Sequence, residues 1–232
     1  MKVVRLSRAL GFGLLVLPCV LVLAACAPQG DASSDEAAAT AEGGAPDAPS
    51  ADMAAADPAT AGALACTWTD AGAELTGRAS PPDSTEVQLG DGVAKVCYSA
   101  PSMRGRQIFG GLEPWGEPWR LGANEPTTLH VTVPAEIGTV TVEPGSYSLY
   151  AIPGETEWTI VVNRAVDRWG IPIDESVRSQ DVGSFTVAPS ATDPIERLLI
   201  NLAPADAGAA EMVVGWENTR LTFPVRAAAT GG

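Results

Sequence analysis

The sequence predicts an all-β domain, a single antiparallel β-sandwich with a long ordered loop and at most one short helix. Three observations predict it. Apolar residues recur every second position in short runs: Leu129, Val131 and Val133 alternate with Thr128, His130 and Thr132, and Trp158, Ile160 and Val162 alternate with Thr159 and Val161. Gly, Pro and Asp clusters separate such runs at the spacing of short strands. No long stretch carries a helical period, and only Asp174–Gln180 reads as a short helix.

Taken in order, Gly90-Asp91-Gly92 divides a strand at Glu86–Leu89 from one at Val93–Tyr98. A strand over Thr127–Val133 follows a long segment rich in Pro and Gly. Glu143-Pro144-Gly145 separates Thr139–Val142 from Ser146–Ile152, and Pro153-Gly154-Glu155 precedes Glu157–Asn163. Glu196–Leu202 and Met212–Trp216 read as further half-buried strands. Leu64 to Arg226 is the length of one domain, and no segment repeats internally.

The N-terminus has a different character. Lys2, Arg5 and Arg8 precede an uncharged run from Ala9 to Leu23, the pattern of a secretory signal over residues 1–25. As a helix this run would cover about 22 Å, short of a hydrocarbon core of roughly 30 Å, so a cleaved signal is expected rather than a permanent span. It ends in Leu23-Ala24-Ala25-Cys26, which resembles the lipobox of bacterial lipoproteins and implies lipidation of Cys26. Two or three acyl chains would anchor stably where one would not. Ala27 in place of Asp favours the outer membrane by resemblance to known sorting behaviour. Residues 26–61 are Ala, Gly, Pro, Ser and acids, a composition that cannot bury enough apolar surface to offset its ordering entropy. They are expected to form a lipidated, disordered tether, with residues 62–232 as the β-sandwich domain.

The whole chain carries a net charge of −14. Without residues 1–61, 11 basic and 21 acidic side chains remain, a net of −10. A domain so acidic repels phosphate backbones, which argues against nucleic-acid binding and for solubility at an exposed surface. Four cysteines fall as Cys19, Cys26, Cys66 and Cys97. The first leaves with the signal and the second takes lipid, so Cys66 and Cys97 in an oxidising compartment are expected to form a disulfide.

The run PSMRGRQIFGGLEPWGEPWRLGANEPTTLHVTV from Pro101, continuing through IGTVTVEPGSYSLYAIPGETEWTIVVN to VVGWENTR, resembles the bacterial domain-of-unknown-function family 2911. The likeness covers about Ser80 to Val225. Four elements carry it: arginine-glycine-arginine, tryptophan-arginine-x-glycine-alanine-asparagine-glutamate, a glycine-x-tyrosine-serine-leucine hairpin and an isoleucine-proline-glycine-glutamate turn. One departure is Ala100, where the family usually has arginine. The resemblance implies an exported β-rich domain and supplies no reaction.

Chemistry-bearing residues are sparse. The chain has one histidine, His130, on the polar face of its strand, which excludes His-rich zinc and copper sites and leaves any Ser-His-Asp triad resting on it. Gly145-Ser146-Tyr147-Ser148-Leu149 lacks the second glycine of a nucleophile elbow. No P-loop, EF-hand loop or dinucleotide fingerprint is present, so no metal and no cofactor are expected. Glu113, Glu117 and Glu125 are close enough in sequence for two to face one cleft.

The densest cluster is Arg104, Arg106, Trp115, Trp119, Arg120, Asn124 and Glu125. Of these, Arg104, Arg106, Trp119, Arg120, Asn124 and Glu125 are the candidate ligand-binding residues: guanidinium forks for a carboxylate or phosphate, a Trp face for a ring and an amide for orientation. The competing reading is a long loop whose Arg–Glu pairs and Trp anchors replace a missing sheet ladder, and the sequence favours it. In that reading Arg120 pairs with Glu125, with Gly122 relaxing the backbone between them. Trp158, Trp169 and Trp216 are expected in packing roles, and the Tyr147 hydroxyl in a structural hydrogen bond. The favoured function is a non-catalytic envelope lipoprotein with a binding or structural domain. Its partners are the membrane, through the lipid on Cys26, and an envelope glycan, peptide or protein. The alternative is a hydrolase acting on envelope glycan or peptide through Glu125 with an Arg or His130.

Overall fold

A computed structural model describes residues 64–68 and 75–229. The signal, the lipidation site Cys26 and the tether lie outside the described residues.

Among the described residues, ten antiparallel strands form two sheets. The first has the order β1-β2-β3-β6-β7-β8: β1 Pro82–Leu89, β2 Gly92–Ser99, β3 Thr127–Val131, β6 Gly145–Ile152, β7 Trp158–Asn163 and β8 Asp181–Val187. The second has the order β5-β4-β10-β9: β4 Ala135–Ile137, β5 Val140–Val142, β9 Ser190–Pro204 and β10 Ala209–Ala227. The expected all-β sandwich is what forms. The short helix is also present as α1, Glu175–Arg178, capped by the Asp174 carboxylate, which accepts from the Ser176 and Val177 N–H groups.

Alternation places Val96 and Tyr98 of β2, Leu129 and Val131 of β3, Leu149 of β6 and Ile160 of β7 in one core with Leu198, Ile200, Met212, Val214 and Phe223 of the facing sheet. Cutting β2 from β1 takes only the two-residue loop Gly90-Asp91, with Leu89 opposite Gly92 and Gly90 at φ 59°. Glu143-Pro144 makes no hairpin, because β5 and β6 belong to different sheets and the chain crosses between them there. The hairpin containing Ser146-Tyr147-Ser148 is instead β6–β7, closed by Pro153–Glu157.

The last two strands far exceed their predicted lengths. Pro194 sits within β9, which tolerates it as an edge strand with no ladder to feed on its outer side. β10 pairs with β9 up to Arg220 and with β4 from Val225, so Pro224 falls where the ladder changes partner. Glu217 sits at φ 54° between two register shifts, a bulge that turns its side chain toward the β2–β3 loop.

The disulfide forms as expected, Cys66 to Cys97, with Cα atoms 5.8 Å apart. Cys97 pairs with Thr128 across the β2–β3 ladder. Thr67 and Trp68 therefore lie over the outer face of the first sheet, lining a small cavity with Glu125, Pro126 and Thr128. His130, Thr128 and Ser148 lie on that face, opposite the core-facing Leu129 and Leu149, and all three are buried.

Candidate functional site

The loop from Ala100 to Pro126, between β2 and β3, carries every candidate ligand-binding residue. It is ordered without being a strand, held by isolated bridges of Ser102 with Arg197 and Trp119 with Ala151. In the second, the Trp119 N–H donates to the Ala151 carbonyl at 2.7 Å and the Ala151 N–H returns to the Trp119 carbonyl at 2.8 Å. Its deepest point is Ile108-Phe109, whose backbone N–H groups donate to the two carboxylate oxygens of Glu217 at 3.0 and 3.3 Å. Phe109 packs edge-on against Trp119, Trp158 and Trp216, with ring centroids 4.7–6.1 Å away. Trp119, 2% exposed, is a core residue and is removed from the candidate ligand-binding set.

The expected Arg120–Glu125 pair does not form. Glu125, 3% exposed, takes a bidentate contact from Arg78, whose Nη1 donates to its two oxygens at 2.9 and 2.8 Å. Arg78 is remote in sequence, but it is the one basic residue between Cys66 and β1. Arg78 lies just ahead of Pro82, which pairs with Ser99 at the end of β2, so it arrives near the start of β3. Nor does Gly122 relax the backbone by adopting positive φ. Leu121 and Asn124 do so, at 55° and 58°. Gly122 is required for close approach: a Cβ there would stand 3.0 Å from the Ser99 carbonyl and 3.1 Å from the Thr127 hydroxyl. Thr127 Oγ1 also donates to the Leu121 carbonyl at 2.7 Å, bracing the strained residue.

The other candidates serve local structure as well. Asn124 donates its amide to the Ser80 carbonyl. Arg104 donates to the Ala79 carbonyl while its backbone N–H reaches Glu196, and Arg106 donates to the carbonyls of Met103 and Ser102. Both arginines are exposed. His130 contacts the Ser146 hydroxyl at 2.7 Å through Nδ1 and Thr128 through Nε2, and burial, then Lys95, pushes its pKa down. Ser148 is fully buried against Asn163, and the Tyr147 hydroxyl donates to the Glu143 carbonyl as expected. Among the described residues no group of three or more His, Cys, Asp or Glu side chains could hold a metal ion.

What the loop leaves available is Arg120. Its Nε is buried without a hydrogen-bond partner, and its stem packs on Gly170, where a Cβ would stand 2.4 Å from Arg120 Cδ. Burial lowers its pKa while Glu113 opposes that shift. Burial raises the Glu113 carboxyl to about 7, against the pull of Arg120 and then Arg106. Trp115 and Trp169, on the two segments flanking Arg120, are 41% and 47% exposed. Trp158 and Trp216 are core residues, and Trp169 is half exposed, at the rim rather than in the core.

Residues 80–225 match the model of a family described as a protein of unknown function, DUF2911. The chain belongs to that family. The matched DUF2911 region spans β2, the whole loop and β10 up to Val225, and thus contains both Glu113–Arg120 and the Glu217 anchor. Arg78, which supplies the Glu125 pair, lies just before it. Ala100, within the matched region, is fully buried, and its N–H donates to the Pro81 carbonyl. No curated protein and no solved structure matches the chain.

Proposed function

We infer that this DUF2911 protein is exported, acylated at Cys26 and held on the cell envelope, most simply at the outer membrane, with a sandwich that acts as a non-catalytic binding or structural domain. The observation carrying the non-catalytic reading is the bidentate Arg78–Glu125 contact at 2.8–2.9 Å. A carboxylate fixed in that way has its lone pairs directed at a structural partner and is poorly placed to shuttle a proton. His130, buried and tied to Ser146 and Thr128, is likewise remote from the role of an accessible base.

The anchor is supported by the sequence of residues 1–26, and its partner by the lipid it would carry. Metabolic labelling with a palmitate analogue and membrane fractionation test it. The Cys26→Ala chain should lose label and leave the membrane, and unchanged membrane retention would overturn the reading. One observation favours the hydrolase alternative: a carboxyl titrating near 7 at Glu113 has the acidity of a general acid. Release of product from envelope glycan or muropeptides, abolished in Glu113→Gln, would establish that reading instead.

A further inference from the structure

Among the described residues, Arg120 is the one charged side chain of the predicted cluster without a hydrogen-bond partner. A half-buried guanidinium normally meets a carboxylate or several carbonyls, as Arg78 meets Glu125 and Arg168 meets the carbonyls of Ala165, Trp169 and Gly170. Arg120 has neither: no hydrogen bond or ion pair joins it to another described residue, and its Nε is enclosed. Gly170 leaves room for its stem, so the guanidinium is placed between the 110–117 segment and the 164–173 segment. Each contributes an exposed tryptophan, Trp115 and Trp169. Trp115 is held in position by stacking on Phe109 at 6.3 Å and by lying over Gly110.

We propose that Arg120, with Glu113 beside it and Trp115 and Trp169 on the flanking segments, anchors a binding site for a carboxylate-bearing sugar. A guanidinium fork matches a carboxylate in two parallel bonds, and an exposed indole face suits a sugar ring. The acidic domain determines how much charge the ligand can carry. A polyanion would be repelled by the net −10, whereas a single carboxylate on a neutral ring needs only the local pair Arg120 and Arg106. This inference rests on reading the domain as a binding module.

Glu113 makes the site sensitive to pH. When ionised it competes with the ligand for Arg120, and when protonated it leaves the guanidinium to the ligand. The charged groups facing it are Arg120 and Arg106, while Arg168 on the neighbouring segment faces Asp174 and Tyr150. With the carboxyl titrating near 7, about nine-tenths is protonated at pH 6 and about one-tenth at pH 8, so affinity should fall about tenfold between them.

The test is calorimetric titration of the full, detergent-solubilised chain with the methyl glycoside of galacturonic acid, which carries one carboxylate, with its methyl ester and with inorganic phosphate. The proposal expects saturable binding of the glycoside at pH 6, about tenfold weaker at pH 8, with the ester and phosphate each at least about tenfold weaker at pH 6. Glu113→Gln should bind equally at both pH values. Arg120→Lys should lose most of the affinity, and Trp115→Ala part of it. No binding by the folded chain at pH 6, equal binding of ester or phosphate, or a pH dependence that survives in Glu113→Gln would overturn the proposal. Cleavage of the glycoside after binding would leave the site standing and refute the non-catalytic reading instead.

Discussion

Glu217 tests the claim that the β2–β3 loop is clamped by the second sheet. Its two carboxylate oxygens accept the N–H groups of Ile108 and Phe109, which are 0% and 5% exposed. Glu217→Gln keeps the shape but replaces one acceptor with an amide NH2 that faces an N–H. One charge-assisted hydrogen bond is lost and one enclosed donor is left unsatisfied, a cost of about 2–3 kcal/mol. For a domain of this size each kcal/mol lowers the melting midpoint by about 2–4 °C, so a fall of roughly 5–10 °C is expected. Thermal melts followed by circular dichroism read it, with tryptophan fluorescence as a second probe because Phe109 packs among Trp115, Trp119, Trp158 and Trp216. Exposed Glu211→Gln is the control and should leave the midpoint unchanged. A shift under about 2 °C in Glu217→Gln would refute the clamp.

Reducing the Cys66–Cys97 bond should destabilise the domain by about 3–4 kcal/mol in the chain-entropy model, read as a lower denaturant midpoint with dithiothreitol, and an unchanged midpoint would contradict this. Glu113 supplies a pH dependence of stability. Its folded pKa of about 7 lies above the ordinary 4.5, so its contribution is full below about 4.5 and lost as pH rises through 7. Solvent access to the half-buried carboxyl brings the difference to about 1–2 kcal/mol, and Glu113→Gln should be more stable than wild type by that amount at pH 8 and equal to it at pH 4. His130, whose pKa is pushed down, acts oppositely, losing stability as pH falls below about 6.5, and comparison with Glu113→Gln cancels it. Gly138→Ala should cost stability measurable in the same melts, because φ is 60° and a Cβ would stand 2.5 Å from the Phe185 ring.

Much of this architecture was legible because it depends on local rules. The alternation at Leu129–Val131 and Trp158–Val162 fixes which face enters the core, and Gly90-Asp91 closes its hairpin as its chemistry requires. The disulfide followed from compartment and count. The strand β8 was missed because Asp181–Val187 contains Gly183 and Ser184 and alternates weakly at a sheet edge. Val140–Val142 looked like half of a hairpin with Ser146–Ile152 because a turn sequence does not reveal which sheet the next strand joins. The candidate site was read least well. Proximity suggested Arg120 for Glu125, yet the partner is Arg78, 47 positions away, which the pairing of Pro82 with Ser99 brings to that end of the sheet. Trp119 looked like a ligand platform because the sequence does not show that Phe109, Trp158 and Trp216 surround it.

Arg78→Ala and Arg120→Ala, melted side by side, provide the most direct test of this division between structural and available charge. Arg78 removal leaves the Glu125 carboxylate, 3% exposed, without its bidentate partner and should cost about 3–5 kcal/mol. Arg120 removal breaks no hydrogen bond to a described residue and should change stability by no more than about 1 kcal/mol, since lost packing of its stem against Gly170 is offset by release of a desolvated charge. A lower midpoint for Arg78→Ala beside a near-wild-type Arg120→Ala is the predicted result. Equal losses in the two variants, or a loss confined to Arg120→Ala, would contradict the account.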